Sequence, residues 1–123
     1  MSDITERAAR RLLIDYTLEM ALSDEDPAQI VGRTVTEDAI WVTDGTELTH
    51  DQLIAHAAPA RKNVTDVQMR IDDLLVDGQR FAARCCLTSE HRKLGHVVID
   101  WLLMGEVADD GRVRRIYQFG RTA

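Results

Sequence analysis

Residues 97–104 read VVIDWLLM, a run in which seven of the eight residues are apolar and the exception is Asp100. Gly95 lies just upstream of this run and Gly105 follows it directly. The run is short, begins with three β-branched residues and is bounded by glycines, which predicts a β-strand rather than a helix. Apolar side chains at both odd and even positions indicate that both faces of the strand are covered.

Asp100 is the residue of this strand whose role needs an explanation. An ionised carboxylate buried without partners is costly, so it must meet hydrogen-bond donors, contact water or keep its proton. Asp100 is therefore either a structural acid surrounded by donors or a functional acid that faces a pocket.

The whole chain has the size and composition of a globular domain. It contains 123 residues, 45% hydrophobic and 29% charged, and we expect one domain spanning 1–123. The net charge of −6 argues against a nucleic-acid partner, whose phosphates require a basic surface, and against an anionic membrane surface. No apolar run approaches the length of about 20 residues that spans a bilayer. Residues 1–11 lack the apolar core of a signal peptide, so a cytoplasmic location is expected.

The sequence contains no motif for a metal or a cofactor. Cys85 and Cys86 are adjacent, and neighbouring residues of a strand point to opposite faces, so we expect no disulfide between them. There is no CxxC or HExxH motif, no set of histidines at metal-ligand spacing and no phosphate-binding glycine loop. We therefore expect neither a metal nor a cofactor.

Hydrophobic periodicity and turn residues predict most of the helices in the first half of the chain and most of the strands in the second. The predicted helices cover 3–22, 27–36 and 50–59, and the predicted strands cover 38–43, 64–76, 80–88, 95–107 and 113–119. The predicted helix starts are Asp3, the pair Asp26 and Pro27, and a capping box at 49–52. This order predicts an α+β fold in which helices pack on one face of a curved antiparallel sheet.

A curved sheet wrapped around the long first helix leaves a cavity between the two. Tyr16 is the member of the helix's apolar stripe that has a polar tip, so its hydroxyl needs a partner if it is buried. Strand residues alternate between faces, so if Asp100 faces this cavity, Trp101 and Leu103 point to the convex side. A second copy of the chain is the simplest cover for such residues, and we expect a homodimer through the convex sheet face.

The order of elements and several short segments resemble the nuclear transport factor 2-like superfamily, also called SnoaL-like, over almost the whole chain. The segments that carry the resemblance are Tyr16 in the first helix, EDAIWV at 37–42, LTHDQLI at 48–54, VID at 98–100 and DDGRV at 109–113. The resemblance implies a cone-shaped α+β barrel, or cystatin-like α+β roll, that forms one SnoaL-like domain. This fold hosts isomerases, dehydratases, epoxide hydrolases, polyketide cyclases and non-catalytic members, so the fold does not specify a function.

Within the superfamily, the ketosteroid isomerase type is the closest chemical parallel. Its oxyanion hole combines a tyrosine of the first helix with an aspartic acid kept protonated in an apolar site, and Tyr16 and Asp100 match these positions. Its general base would end the first strand, where this sequence has Thr43 followed by Asp44. A shift of one residue turns a strand side chain to the other face. The hydrolase type needs an arginine at the position of Val98, which argues against that activity.

Several other residues are candidates for the active site or the pocket, and each also has a purely structural interpretation. Asp44 precedes Gly45 and is either a turn residue or the base. His96 has the same parity as Asp100 and could act as a base or donate a hydrogen bond near it. The remaining residues are candidate pocket walls that could equally be core or surface residues, and they are Trp41, Met69, Met104 and His56.

These observations predict a mostly apolar pocket for a small hydrophobic or aromatic ligand. As an enzyme, the protein would transfer a proton next to a carbonyl without a cofactor, in an isomerase, cyclase or dehydratase reaction. Tyr16 and Asp100 would stabilise the developing negative charge. The alternative is a ligand-binding or dimerisation module without turnover, and a third hypothesis is a protein-interaction module that uses the open sheet face.

Overall fold

The computed structural model describes residues 3–122, which form four helices and six strands. The elements are α1 (Glu6–Leu22), α2 (Pro27–Thr34), β1 (Val35–Thr43), β2 (Thr46–Leu48), α3 (His50–Ala55), α4 (Ala57–Asn63), β3 (Val64–Asp77), β4 (Arg80–His91), β5 (Gly95–Val107) and β6 (Val113–Thr122). The predicted α+β fold is confirmed, although β2 and the division of the third predicted helix into α3 and α4 were not predicted. No helix within this range is both long and apolar enough to cross a membrane.

The six strands form one curved, unclosed sheet in the order β2-β1-β6-β5-β4-β3. Neighbouring strands are antiparallel except for the parallel pair β1 and β6. The prediction of an antiparallel sheet is therefore wrong at this one pair. Parallel strands need a long connection, and the chain between β1 and β6 contains most of the other elements. The long helix α1 packs on the concave face and contacts β3.

Side-chain caps define where the helices begin. Thr5 Oγ1 accepts a hydrogen bond from the backbone N–H of Ala8 at 3.0 Å, so the predicted N-cap at Asp3 is wrong and α1 starts after Thr5. The caps at Asp26 and at the capping box of 49–52 are present as predicted. Each cap provides an acceptor for backbone N–H groups that have no partner within the helix.

Arg61 of α4 fixes the C-terminal end of α1. Its Nη2 donates to the carbonyl oxygen of Glu19 at 3.1 Å and to Ser23 Oγ at 3.2 Å. Its Nε donates to the carbonyl oxygen of Met20 at 3.3 Å. Because the carbonyls in the last turn of a helix have no intrahelical partner, these bonds hold α1 against α4 and set the position of its inward-facing side chains.

The inner and outer faces of β5 are the reverse of those predicted. Trp101 and Leu103 line a cavity beneath α1, whereas Leu102 and Met104 are 61% and 64% exposed on the convex side. Asp100 has the parity of these exposed residues, so its predicted orientation toward the cavity is wrong. Burial of the indole and isobutyl groups is favourable, whereas burial of the carboxylate would cost several kcal/mol, and this difference selects the observed face.

Two glycines allow aromatic rings to lie directly on the backbone of a neighbouring strand. Gly120 is the cross-strand partner of Trp101, and a Cβ at this position would lie 2.5 Å from the indole ring. Gly105 is the partner of Phe81, and a Cβ there would lie 2.3 Å from the phenyl ring. The position of the Trp101 indole, and with it one wall of the cavity, therefore depends on the missing side chain at Gly120.

Candidate functional site

A cavity of about 400 Å³ lies between α1 and the concave face of the sheet. Every helix and strand of the described chain contributes to its wall. Most of these residues are apolar, because the inward-facing positions of the strands and of α1 are the ones that leave water on folding. The cavity is therefore formed by the same residues as the core.

The wall of the cavity carries hydrogen-bonding groups but no carboxylate, ammonium or guanidinium group among the described residues. Among the described residues that line it, none is aspartate, glutamate, lysine or arginine. The polar lining residues are Tyr16, Thr17, Thr34, Thr43, His56, Ser89 and Gln118. An ion inside this cavity would lose its hydration without gaining a charged partner, so the cavity favours uncharged ligands.

Tyr16 reaches the cavity from the inward-facing side of α1. Its ring packs against Trp41 of β1 at a centroid distance of 5.6 Å and an interplanar angle of 40°. The neighbouring Thr17 donates its hydroxyl hydrogen to the carbonyl oxygen of Leu13 at 2.8 Å. Within residues 3–122 the Tyr16 hydroxyl has no such partner, so it is available to a ligand.

Burial keeps the Tyr16 phenol protonated. Removal from water disfavours the charged phenolate and raises the pKa of Tyr16 to about 12. At neutral pH the hydroxyl therefore acts as a hydrogen-bond donor rather than as a base. A protonated donor in an apolar wall is suited to bind a carbonyl oxygen.

Asp100 lies on the opposite side of the sheet from Tyr16. Its side chain is 46% exposed, and Asp100 Oδ2 lies 3.9 Å from Nε of the cross-strand neighbour Arg121. Asp100 does not line the cavity. The predicted pairing of Tyr16 with Asp100 around one substrate oxygen is therefore wrong, because the sheet separates the two side chains.

Asp44 lies in the turn between β1 and β2, outside the cavity. Its backbone has a φ of 49°, in the left-handed region that aspartate tolerates better than most residues. Asp44 Oδ1 accepts a hydrogen bond from the backbone N–H of Gly120 at 2.9 Å. This contact joins the turn to β6 at Gly120, the glycine on which Trp101 packs.

His96 lies on the surface near the start of β5 and does not line the cavity. Its Nδ1 is 2.5 Å from Glu90 Oε1 of the cross-strand neighbour. Both side chains are about half exposed to solvent. The structure thus places both predicted bases, His96 and Asp44, away from Tyr16.

The four predicted pocket residues fall into two groups. Trp41, Met69 and His56 line the cavity. Met104 does not, because it follows the parity of Asp100 and points to solvent on the convex face. Its assignment to the pocket is wrong for the same reason as the orientation of Asp100.

Sequence reasoning missed a polar pair in the cavity wall. Gln118 Nε2 donates a hydrogen bond to Thr43 Oγ1 at 3.1 Å, and both side chains line the cavity. The sequence contained a signal for the orientation of both side chains. Alternate strand residues face the same side, so Thr43 faces inward like Trp41 on β1, and Gln118 faces inward like Ile116 on β6. The contact itself was not predictable, since it requires the parallel pairing of β1 with β6.

No family model and no curated protein matches the sequence. Among solved structures, wild-type IdmH, a candidate polyketide cyclase from Streptomyces antibioticus, is 15% identical with a TM-score of 0.71 over 94% of this chain and 92% of that one. A candidate SnoaL-like polyketide cyclase from Shewanella denitrificans is 11% identical with a TM-score of 0.71 over 97% and 92%. A protein of ketosteroid isomerase-like fold from Catenulispora acidiphila, solved with trimethylamine, is 9% identical with a TM-score of 0.67 over 96% and 86%.

These similarities establish the fold. The chain has the nuclear transport factor 2-like, or SnoaL-like, fold, as the sequence resemblance implied. At such low identities the similarity extends to the fold alone, because one fold supports many functions. The function of this chain therefore depends on what its own cavity can bind.

We expect Tyr16 to make the folded protein sensitive to alkaline pH. The phenol ionises near pH 10 in the unfolded chain but only near pH 12 in the folded protein. Its contribution to the free energy of unfolding is therefore complete below pH 10 and lost between about pH 10 and pH 12. Urea denaturation midpoints should fall more steeply over this range for the parent protein than for Tyr16→Phe. Equal losses in the two proteins would contradict the burial of the phenol.

Proposed function

We propose that this protein binds a small, uncharged and mostly apolar molecule in the cavity between α1 and the sheet. The observation that carries the proposal is a cavity of about 400 Å³ with an uncharged, largely apolar wall and a buried phenol. Ligand sites in proteins typically have volumes of roughly 300–1,000 Å³ and a few polar groups in an apolar wall. The fold shared with candidate polyketide cyclases supports the same class of ligand.

Tyr16 is the group that we propose orients this ligand. Its protonated hydroxyl donates a hydrogen bond, and a carbonyl oxygen is the complementary acceptor. The ring of Trp41 beside it provides a flat apolar surface for the carbon skeleton next to that carbonyl. If negative charge develops on the oxygen, the hydrogen bond from the buried Tyr16 phenol strengthens.

Proton transfer next to the carbonyl is the second candidate function, and the position of His56 favours it. Among the described lining residues, His56 is the one side chain that can act as a Brønsted base at neutral pH. Its imidazole would take a proton from the carbon beside the carbonyl, and the resulting enolate oxygen would accept the hydrogen bond of Tyr16. His56 then replaces Asp44 and His96 as the proposed base of an isomerase, cyclase or dehydratase reaction.

We also propose that the convex face of the sheet binds a second copy of the chain. Leu102 pairs with Phe119 and Met104 pairs with Tyr117 across β5 and β6, and all four side chains are exposed. An exposed apolar patch of this kind is typical of an interaction surface.

Charge at the edge of this patch supports a second copy as the occupant. Asp100 and Arg121 lie side by side next to Leu102 and Phe119, with 3.9 Å between Arg121 Nε and Asp100 Oδ2. A two-fold axis that runs parallel to the strands between β5 and β6 would place Asp100 of one copy over Arg121 of the other. Opposite charges in this arrangement favour the symmetric pair over a partner of single charge sign.

We expect Ala60→Phe to weaken the binding of propiophenone, an uncharged aryl ketone, by about tenfold or more, because the added ring fills the cavity that Ala60 lines. Ala58→Phe is the matched control, since Ala58 is exposed in the same helix. Both tryptophans of the chain line the cavity, so their fluorescence reports occupancy. Equal affinities of the two variants, or no binding by the parent protein, would contradict the proposed function.

We expect the protein to accelerate exchange of the protons next to the propiophenone carbonyl in deuterium oxide, followed by proton NMR. His56→Gln should slow this exchange by roughly a hundredfold, the usual contribution of a general base. His96→Gln should exchange like the parent protein, because His96 lies outside the cavity. A parent protein that binds the ketone without accelerating exchange would establish the non-catalytic alternative.

We expect Leu102→Glu to shift the protein from dimer to monomer in sedimentation velocity, because the new carboxylate would be buried at the proposed interface. Leu94→Glu should leave the dimer intact, since Leu94 is equally exposed but lies in the turn between β4 and β5. A monomeric parent protein, or a Leu102→Glu variant that remains dimeric, would show that the convex face is not the interface.

A further inference from the structure

The polar pair of Thr43 and Gln118 lies within an otherwise apolar part of the cavity wall. Gln118 is the strand neighbour of Thr43 on one side and of Leu103 on the other. The next inward-facing residues along the two strands are Trp41 and Ile116, both buried. Polar side chains at these two positions are not required by the sheet, since apolar residues occupy the equivalent inward-facing positions around them.

The mutual hydrogen bond uses only part of the capacity of the pair. Thr43 Oγ1 accepts from Gln118 Nε2, so the hydroxyl hydrogen of Thr43 and the Oε1 atom of Gln118 remain available. Within residues 3–122 neither group has another hydrogen-bond partner. Rotation of the amide by half a turn exchanges the roles of the two residues but still leaves one donor and one acceptor side by side.

The pair occupies a different place in the cavity from Tyr16. Thr43 follows Trp41 on the same face of β1, and alternate residues of a strand are separated by about 6.6 Å. Tyr16 packs against Trp41 itself. A ligand that lies along Trp41 with its carbonyl at Tyr16 can therefore present a second polar group to Thr43 and Gln118.

We propose that Thr43 and Gln118 form a recognition site for a ligand hydroxyl, so that the cavity selects hydroxylated carbonyl compounds. A hydroxyl is the simplest uncharged group that both donates and accepts, and it would donate to Gln118 Oε1 and accept from the Thr43 hydroxyl. A carboxylate would meet the carbonyl oxygen of Gln118 without a positive charge nearby. This inference rests on the proposed ligand-binding function and adds the class of ligand.

The experiment compares propiophenone with para-hydroxypropiophenone by isothermal titration calorimetry at about pH 6, where a phenol is uncharged. The parent protein should bind the hydroxylated ketone roughly 3- to 10-fold more tightly, the usual gain from neutral hydrogen bonds. Thr43→Val and Gln118→Met should lose or reverse this preference, because a buried hydroxyl without partners is unfavourable. The ratio of the two affinities is compared within each variant, so a change that affects both ketones equally cancels.

Thr88→Val is the matched control, since it is the same substitution at a half-buried residue of β4 that does not line the cavity, and this variant should keep the preference of the parent protein. Variants of Thr43 and Gln118 that keep the full preference would overturn the inference and leave the proposed function standing. A parent protein that binds neither ketone would overturn both. Thr43→Val removes one hydroxyl with almost no change in shape, so it decides the question even if Gln118→Met fails to fold.

Discussion

The two-residue alternation of β5 decides which side chains enter the cavity and which reach the convex face of the sheet. Trp101 and Leu103 face inward, so Asp100, Leu102 and Met104 must face outward. This choice removes the carboxylate from the cavity and puts the indole into its wall. The free energy gained by burying the two apolar side chains, together with the cost of burying a carboxylate, decides the orientation of the whole strand.

The absence of charge from the cavity wall has a direct chemical consequence. Of the described lining residues, Tyr16 and His56 are the ones that can exchange a proton, and burial holds the phenol of Tyr16 in its protonated form. An arrangement of this kind stabilises negative charge that develops on a ligand oxygen beside Tyr16, whereas the described lining residues include no lysine or arginine to bind a permanent anion. It differs from the ketosteroid isomerase arrangement, in which a tyrosine and a protonated acid act on the same oxygen.

The sheet thus has two faces with separate roles in our proposal. Its concave face provides the wall of a ligand cavity, with Thr43 and Gln118 as a polar pair inside that wall. Its convex face carries an exposed apolar patch bordered by Asp100 and Arg121. Gly120 fixes the concave wall, because it carries the Trp101 indole and its backbone N–H donates to the turn residue Asp44.

Local signals in the sequence were sufficient to predict the α+β fold, the β5 strand and the caps at Asp26 and at 49–52, because capping side chains, turn residues and apolar runs act over a few residues. These signals did not reveal which face of VVIDWLLM is buried, since apolar residues occur at both parities and hydrogen-bond donors in a pocket could have compensated the burial of Asp100. The buried face is fixed by long-range contacts, namely the close approach of Trp101 to Gly120 and the packing of α1 on the sheet. The same holds for Thr43 and Gln118, whose contact joins residues 75 positions apart and arises from the parallel pairing of β1 with β6.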